Sequence, residues 1–273
     1  MRHVRDQISS PWWAGALPTD DLAHRANRHA ALGEPVRLAI IDRLVVEDAS
    51  PGEFSNALGI PTNLLAHHLK VLSGAGLIRK ERSEGDRRRW YVRLRWEDPE
   101  TTSLVTASGC RGPGLEGVGR VVFVCTRNSA RSPLAAAAWR RFSPIPSCSA
   151  GIRPDPVLHP RALGLARRHG LDLKDLGHHR IVDIVRPGDL VIAVCDSAHE
   201  ELCPGPEPGE GLCPPYARHL HWAVPDPARQ DTDEAFETTF AEILRRIGRA
   251  AAGSVPRRTV ENVPISRPRP VTG

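Results

Sequence analysis

The chain has 273 residues, with 37 Lys and Arg against 32 Asp and Glu, which gives a formal net charge of +5. Its 40% hydrophobic and 25% charged residues are ordinary for a globular protein, and its length predicts about two domains. The longest apolar runs have about six residues, whereas a membrane-spanning helix needs about 20, so this composition excludes a transmembrane protein. The N-terminal MRHVRDQISSPWW lacks the apolar stretch of a signal peptide, and we therefore expect a cytoplasmic protein with no membrane partner.

Composition shifts divide the chain into four parts. Residues 1–100 are predicted to form a first domain, and the polar, Gly-rich residues 101–119 to form a linker. Residues 120–252 alternate short apolar strands with amphipathic stretches, a pattern typical of an α/β domain with a parallel sheet. The Pro- and Arg-rich residues 253–273 are predicted to be a disordered tail.

The first domain contains the pattern of a helix-turn-helix. Two helices are predicted over residues 22–32 and 35–46, and a short third helix begins at Pro51 and ends at Gly59. After the turn GIP, we expect Thr62 to cap a longer helix. Its predicted buried residues are Leu64, Leu65, Leu69 and Leu72. Two helices joined by such a short turn form a helix-turn-helix.

A basic hairpin follows this helix pair. In LIRKERSEGDRRRWYVRLR, apolar and aromatic positions flank a polar tip at residues 83–86, which predicts a β-hairpin and hence an α+β winged helix. The second helix of such a pair fits the major groove of double-stranded DNA, and an Arg-rich wing neutralises phosphates or enters the minor groove. The candidate DNA-binding residues are Asn63, His67, His68 and Lys70 on the helix, with Arg87, Arg88 and Arg89 on the wing.

Three segments of this domain resemble the ArsR-type family of bacterial repressors: ALGEPVRLAIIDRLV, GIPTNLLAHHLKVLSGAGLI and the basic wing. The resemblance implies DNA binding by a homodimer that forms through the winged-helix domain. Many members of that family sense arsenite or metals through cysteines near the turn helix. The corresponding segment here, SPGEFSNALG, has no Cys, so we expect no metal site in this domain.

The second domain opens with the segment VVFVCTRNSARSPLAAAAWRR, which predicts a strand, a tight loop and a helix over residues 132–142. A loop that leads into a helix N-terminus directs several backbone N–H groups inward and forms an anion cradle. Such a cradle, with Arg131, favours a thiolate at Cys125 and binds a tetrahedral oxyanion. The thiolate can then attack the central atom of arsenate or phosphate. The remaining residues assigned to the oxyanion loop are Thr126, Arg127, Asn128, Ser129, Ala130 and Ser132.

An acid for this chemistry lies about a hundred residues downstream. Asp226 stands in the Pro-flanked segment VPDPAR, after a strand predicted over residues 220–224. Loops at the carboxyl ends of parallel strands meet the ligand, so this carboxyl can protonate a leaving oxygen. Alone, the residue would be an ordinary turn residue; the Cys125 loop in the same domain favours the catalytic interpretation.

Five segments of the second domain resemble the low-molecular-weight protein tyrosine phosphatase family and its arsenate reductase branch: VCTRNSARS, CSAGIRPDPVLHPRALGLARRHGLDL, GHHRI, DLVIAVCD and VPDPAR. The resemblance implies a flavodoxin-like fold with a four-stranded parallel sheet. It also implies that Cys125 is the nucleophile, Arg131 the oxyanion ligand and Asp226 the general acid, with no metal.

Two departures favour the reductase branch over the phosphatase branch. Pro227 is followed by Ala228 rather than the Tyr usual in the phosphatases, and the second loop position is Ala130 rather than Cys. Thioredoxin-linked reductases use two further thiols, and Cys195 and Cys203 resemble that pair, although their spacing is one residue longer than expected. A mycothiol or glutathione system would need only the first Cys.

The prediction is therefore an ArsR-like regulator fused to a thiol-dependent arsenate reductase, with no bound cofactor and an external thiol donor of the thioredoxin, mycothiol or glutathione type. Two alternatives stay open. One is a phosphomonoester hydrolase with the same nucleophile, and the other is a non-catalytic repressor that senses an oxyanion or oxidant. Cys148 is expected to be buried, and Cys110 and Cys213 have no assigned role.

Overall fold

The computed structural model describes residues 19–110, 114–203, 212 and 217–252. The first domain is the predicted winged helix-turn-helix. Its helices are α1 (Thr19–Leu32), α2 (Pro35–Val46), α3 (Pro51–Leu58) and α4 (Thr62–Gly74), followed by strands β1 (Ile78–Arg82) and β2 (Trp90–Leu94) and helix α5 (Pro99–Ala107). The two strands pair antiparallel and form the wing.

Local sequence signals define the helix-turn-helix. Ser50 caps α3 in a capping box with Glu53, and Gly59 ends this helix with a φ of 63°, which favours glycine. The prediction that Thr62 caps α4 is wrong. Pro61 holds the capping position and makes no side-chain capping bond. Leu64 is also not buried: it is 43% exposed, since it lies about 100° around the helix from Leu65.

The prediction of a linker over residues 101–119 is partly wrong. Residues 99–107 form α5, which is capped by the Asp98 side chain and packs Val105 into the core of the first domain. The buried guanidinium of Arg28 donates to Asp98 over 2.6 Å and to Glu100 over 2.8 Å. Polar residues therefore attach this helix to α1, and their polarity is what made the segment resemble a linker.

The second domain is the predicted α/β unit. Its strands are β3 (Arg120–Cys125), β4 (Ser147–Gly151), β5 (Asp189–Ala193) and β6 (Arg218–His221), and its helices are α6 (Arg131–Phe142), α7 (Pro160–Arg168), α8 (Ile181–Ile184), α9 (Asp196–Leu202) and α10 (Asp233–Ala252), with a 3-10 turn at Pro227–Arg229. The four strands are parallel in the order β4-β3-β5-β6. Strands β3 and β5 are buried along almost their whole length, as is typical of parallel strands, and this explains their near-continuous apolar runs.

Three details of this domain differ from prediction. The last strand is Arg218–His221 rather than 220–224, because its paired register with β5 ends at His221. Helix α6 begins at Arg131, one residue before the predicted start at Ser132. Cys148 is half-buried rather than buried. The predicted tail at 253–273 lies outside the described residues. Within the described part of the chain, no helix is both long enough and apolar enough to cross a membrane.

The two domains share a polar interface. The buried carboxylate of Asp48, which follows α2, lies 2.8 Å from Arg246 Nη2 of α10 and 3.7 Å from Arg93 Nε of the wing. The backbone N–H of Asp48 donates to the carbonyl of His221 over 2.8 Å, and the indole N–H of Trp222 donates to the carbonyl of Val46 over 2.8 Å. The connection between α2 and α3 therefore lies against the end of β6.

Candidate active site and DNA-binding surface

The loop between β3 and α6 forms a closed turn around one sulfur atom. Asn128 adopts a left-handed φ of 48°, and its backbone N–H donates to Cys125 Sγ over 3.2 Å. Ser132 Oγ lies 3.0 Å from the same sulfur and 2.9 Å from Asn128 Oδ1, and its single proton is available to either acceptor. The turn packs on Gly151, where an added Cβ would lie 3.0 Å from the side chain of Asn128 and 3.1 Å from Thr126 O. The neighbouring strand thus needs a glycine for the loop to close.

The predicted nucleophile and oxyanion ligand face one cavity. Cys125 and Arg131 both line a cavity of about 270 Å³ at the carboxyl ends of the strands. The guanidinium is held by its Nη1, which donates to Val224 O over 3.0 Å. Burial opposes the charged form of Arg131, but the charges of Cys195, Cys125 and Asp226 outweigh it and raise the arginine pKa. The cation is therefore maintained beside the sulfur.

The predicted acid belongs to the same cavity. Asp226 begins the 3-10 turn, where its Oδ1 accepts the N–H of Ala228 over 3.3 Å. Its Oδ2 lies 3.2 Å from Arg131 Nη2, although the two residues are far apart in the chain. The structure thus places Cys125, Arg131 and Asp226 around one space.

The other loop residues divide into two groups. Thr126, Arg127, Ser129 and Ala130 line the cavity, whereas the side chains of Asn128 and Ser132 are buried behind it and support the turn. The Arg127 guanidinium points to solvent and pairs with Asp155 over 3.0 Å.

The two candidate resolving thiols lie at opposite ends of α9. Cys195 caps the helix N-terminus, where its sulfur accepts the N–H of Ala198 over 3.4 Å, and it lines the same cavity as Cys125. Burial raises the pKa of the Cys195 thiol, although the charge of Arg131 acts in the opposite direction. Cys203 is the C-terminal cap of α9 and lies 3.6 Å from His219 Nδ1.

The cavity is also lined by five residues that were not among the predicted site residues: Glu84, Asp196, Ser197, Ala228 and Arg229. Asp196 directly follows Cys195, and Arg229 directly follows the VPDPA segment, so their positions beside known motifs were a usable signal. Glu84 had no such signal, because it reaches the cavity from the wing of the other domain.

The predicted DNA-binding residues lie mostly on the surface. Asn63, His67 and Lys70 are exposed on α4, and Arg87 and Arg88 are exposed on the wing. Arg89 is half-buried.

His68 corrects the prediction for the recognition helix. It is 7% exposed and its Nδ1 lies 3.3 Å from Glu34. It stands three and four residues from the buried Leu65 and Leu72, so it belongs to the packed face of α4 rather than to the DNA face.

This fold and site define a class of protein: an α/β domain with a cysteine–arginine oxyanion loop, attached to a winged helix. The family model for low molecular weight phosphotyrosine protein phosphatase matches residues 120–258. The chain belongs to that family. A model of a helix-turn-helix domain matches residues 32–81.

Curated relatives of the second domain carry the name arsenate reductase. That of Oceanobacillus iheyensis is 30% identical over 132 residues, which are 47% of this chain and 88% of the relative. That of Brevibacillus brevis is 31% identical over 146 residues, or 50% of this chain and 97% of the relative. Among solved structures, a tyrosine phosphatase from Escherichia coli K30 in complex with sulphate is 25% identical with a TM-score of 0.42, covering 50% of this chain and 97% of that one.

Proposed function

We propose that the chain is a DNA-binding regulator fused to an arsenate reductase that uses Cys125 as its nucleophile. The observation that carries this proposal is the placement of two thiols, those of Cys125 and Cys195, in one cavity with Arg131 and Asp226. A phosphatase needs only the first thiol, whereas reduction of arsenate needs two electrons, which a pair of thiols supplies by forming a disulfide. The arsenate reductase names of the relatives agree with this assignment.

The first step forms a bond between sulfur and arsenic. Arsenate binds to the backbone N–H groups of the loop and to Arg131, and the Cys125 thiolate attacks the arsenic atom. Asp226 gives its proton to the departing oxygen, which leaves as water. The product is a Cys125–arsenate adduct that still contains As(V).

The second step transfers the electrons. The Cys195 thiolate attacks Cys125 Sγ, and the electron pair of the sulfur–arsenic bond stays with arsenic, which leaves as arsenite. Cys203 then attacks Cys195 Sγ, which frees Cys125 and leaves a Cys195–Cys203 disulfide. An external thiol donor, of the thioredoxin, mycothiol or glutathione type, reduces that disulfide; a small thiol can also replace Cys195 in the attack.

The first domain is proposed to bind double-stranded DNA as a homodimer. The exposed Asn63, His67 and Lys70 are on the second helix of the helix-turn-helix, which is the helix that such domains place in the major groove. The wing adds the exposed charges of Arg87 and Arg88.

Arsenite formation tests the enzymatic proposal. The purified full chain is supplied with arsenate and either a thioredoxin or a mycothiol system, and separately with p-nitrophenyl phosphate. Arsenite that appears with the wild type and disappears with Cys125→Ser supports the reductase. Loss of arsenite formation in Cys195→Ser, but not in the control Cys148→Ser, assigns the second thiol, because Cys148 does not line the cavity. Release of phosphate without any arsenite would contradict the reductase.

A phosphomonoester hydrolase is the second candidate. The same Cys125, Arg131 and Asp226 would form and hydrolyse a cysteinyl phosphate, with Asp226 first protonating the leaving oxygen and then activating water. The family to which the chain belongs favours this candidate. In that case Cys195→Ser would leave phosphate release unchanged.

A further inference from the structure

The tip of the wing lies on the second domain rather than in solvent. Ser83 Oγ donates to Glu200 Oε1 over 2.6 Å, and the backbone N–H of Asp86 donates to Glu200 Oε2 over 2.8 Å. The backbone N–H of Glu84 donates to Asp196 Oδ2 over 2.7 Å. Both acceptors belong to α9, so three hydrogen bonds attach the wing tip to the helix beside the cavity.

One wing residue reaches further and holds the turn that carries the general acid. Glu84 Oε2 accepts the backbone N–H of Asp226 over 3.1 Å, and the Glu84 carbonyl accepts from Arg229 Nη2 over 2.8 Å. Asp226 caps the start of the 3-10 turn, and Arg229 is the last residue of the same turn. Glu84 therefore fixes this turn at both ends.

We propose that Glu84 is a positioning residue of the active site, supplied by the DNA-binding domain: it holds Asp226 in place in the cavity that Cys125 lines. This proposal rests on the function proposed above and adds a requirement to it. The catalytic site of the second domain is complete only while the wing is docked.

The charge of Glu84 has a second effect on the site. Its carboxylate lies 3.8 Å from Arg131 Nη1, where it competes with an incoming oxyanion for the same cation. Burial raises the pKa of Glu84, while the charges of Arg229 and Arg131 lower it, which agrees with a carboxylate held in a partly dehydrated position. Glu84 thus supports the acid through a hydrogen bond and opposes oxyanion binding through its charge.

Two substitutions separate these effects. Glu84→Gln keeps an oxygen that accepts the N–H of Asp226 but loses the charge, so kcat for arsenate is expected to stay within about 2-fold while KM falls several-fold. Glu84→Ala loses both, so KM falls and kcat drops about 10-fold, the value of one hydrogen bond. A merely structural role would lower kcat in both variants alike, and it would not lower KM in Glu84→Gln while kcat stays unchanged.

Gly85→Ala tests the docking without changing Glu84. A Cβ at Gly85 would lie within 3 Å of Ser197 Oγ and the Glu200 carboxylate, and 3.0 Å from Ser197 Cα, so the tip cannot stay seated on α9. We expect Gly85→Ala to lower kcat by about as much as Glu84→Ala does. Gly248→Ala is the matched control, because Gly248 lies in α10 and a Cβ there would have no described heavy atom within 4 Å. Its kcat and KM are expected to match the wild type.

Binding of inorganic phosphate to the same proteins by calorimetry keeps this test independent of reductase activity. If the wild type makes no arsenite, the proposed function fails, yet tighter phosphate binding by Glu84→Gln than by the wild type still supports Glu84 as part of the site. Unchanged phosphate affinity in both Glu84 variants, or unchanged kcat in both Glu84→Ala and Gly85→Ala when the wild type is active, overturns the proposal.

Discussion

The Cys125 sulfur depends on a few donors that the loop brings within reach. The N–H of Asn128 and the hydroxyl of Ser132 contact it at 3.2 and 3.0 Å. Ser132 also lies 3.2 Å from Ala150 O, so its hydroxyl connects the sulfur, the loop and the neighbouring strand. Hydrogen bonds of this kind stabilise a thiolate more than a thiol.

Ser132→Ala is expected to slow the reaction of Cys125. A hydrogen bond to a charged group contributes about 1.5–3 kcal/mol, so kcat/KM for arsenate, and the rate of alkylation by iodoacetamide, should fall about 10- to 100-fold. Ser149→Ala is the matched control, because Ser149 is buried on the adjacent strand and its hydroxyl has no partner within the described part of the chain. Equal alkylation rates in the two variants would contradict this role of Ser132.

Residues close in sequence to a motif could be predicted, and residues brought in by tertiary contact could not. Cys125 and Arg131 follow from one strand, one loop and one helix, whose local pattern is sufficient. Asp226 required the additional inference that parallel strands end at one edge of a sheet. Glu84 was missed because the contact joins two domains, and His68 was misassigned because one face of α4 packs on Glu34.

At the scale of the element, the wing is a hairpin with two different functions along its length. Its strands place Arg82 over the ring of Trp90 at 4.6 Å, and its tip contacts α9 through Ser83, Glu84 and Asp86. Arg87 and Arg88 lie just beyond the tip on the exposed side. The docked tip and the exposed arginines are therefore only a few residues apart.

Replacement of Arg87, Arg88 and Arg89 by Ala is expected to weaken DNA binding regardless of sequence. The logarithm of the binding constant falls as log salt rises, and each lost phosphate contact makes this fall less steep by about 0.9. A gel shift or fluorescence titration at several salt concentrations measures this slope. Alanine at Arg140, Arg141 and Arg167, which are exposed on the second domain, is the charge-matched comparison. A triple variant with the wild-type salt slope would exclude the wing from the DNA interface.

Helix α9 separates the two candidate resolving thiols by eight positions. At about 1.5 Å per residue the helix holds their Cα atoms about 12 Å apart, whereas a disulfide needs about 4.4–6.8 Å. A Cys195–Cys203 disulfide and an intact α9 are therefore incompatible.

Oxidation is expected to unwind α9. Amide hydrogen exchange over residues 196–202 should be fast in the oxidised protein and slow in the reduced protein, with mass spectrometry identifying the disulfide. Cys203→Ser treated with the same oxidant should keep its slow exchange. Slow exchange in a protein with a proven Cys195–Cys203 bond would contradict the expected unwinding.

At the scale of the whole molecule, the two domains meet over a cluster of stacked histidines. The rings of His199 and His221 lie 4.1 Å apart and nearly parallel, and the ring of His219 also stacks on His199, at 5.1 Å. Burial, with the charge of His221, lowers the pKa of His199; burial and the neighbouring histidines lower that of His219 to about 3. The groups that face this cluster are Glu53, Glu47 and Asp196, the Tyr91 ring and the Cys203 thiol.

The folded protein is expected to lose stability as the pH falls below about 6.5. Unfolded histidines take up a proton near that pH, whereas the folded His199 and His219 resist it, so the unfolded state binds more protons. The free energy of unfolding should fall by roughly 1 kcal/mol per pH unit for each histidine, measured by urea unfolding between pH 8 and 5. His219→Gln should flatten this dependence, and His179→Gln, an exposed histidine, should not. A flat wild-type profile would show that the cluster protonates freely in the folded state.

The order of the elements and the sheet topology could be predicted because each domain has its own hydrophobic periodicity and its own turn residues. The contact between the domains could not be predicted, because it consists of charged and polar residues such as Asp48, Arg93 and Arg246, which are typical of solvent-exposed surface in a sequence. The same reason explains why α5 resembled a linker.

The helix that carries Asp196 and Glu200 is also the helix that lies between two thiols. If each round of arsenate reduction passes through their disulfide, each round also unwinds the helix to which the wing tip is hydrogen-bonded. The hairpin is then free to reach a DNA phosphate until the thiol donor restores the helix. Arsenate supply and reductant supply would together set how long the chain remains on its operator, so the protein would report the balance of the two rather than the presence of either one.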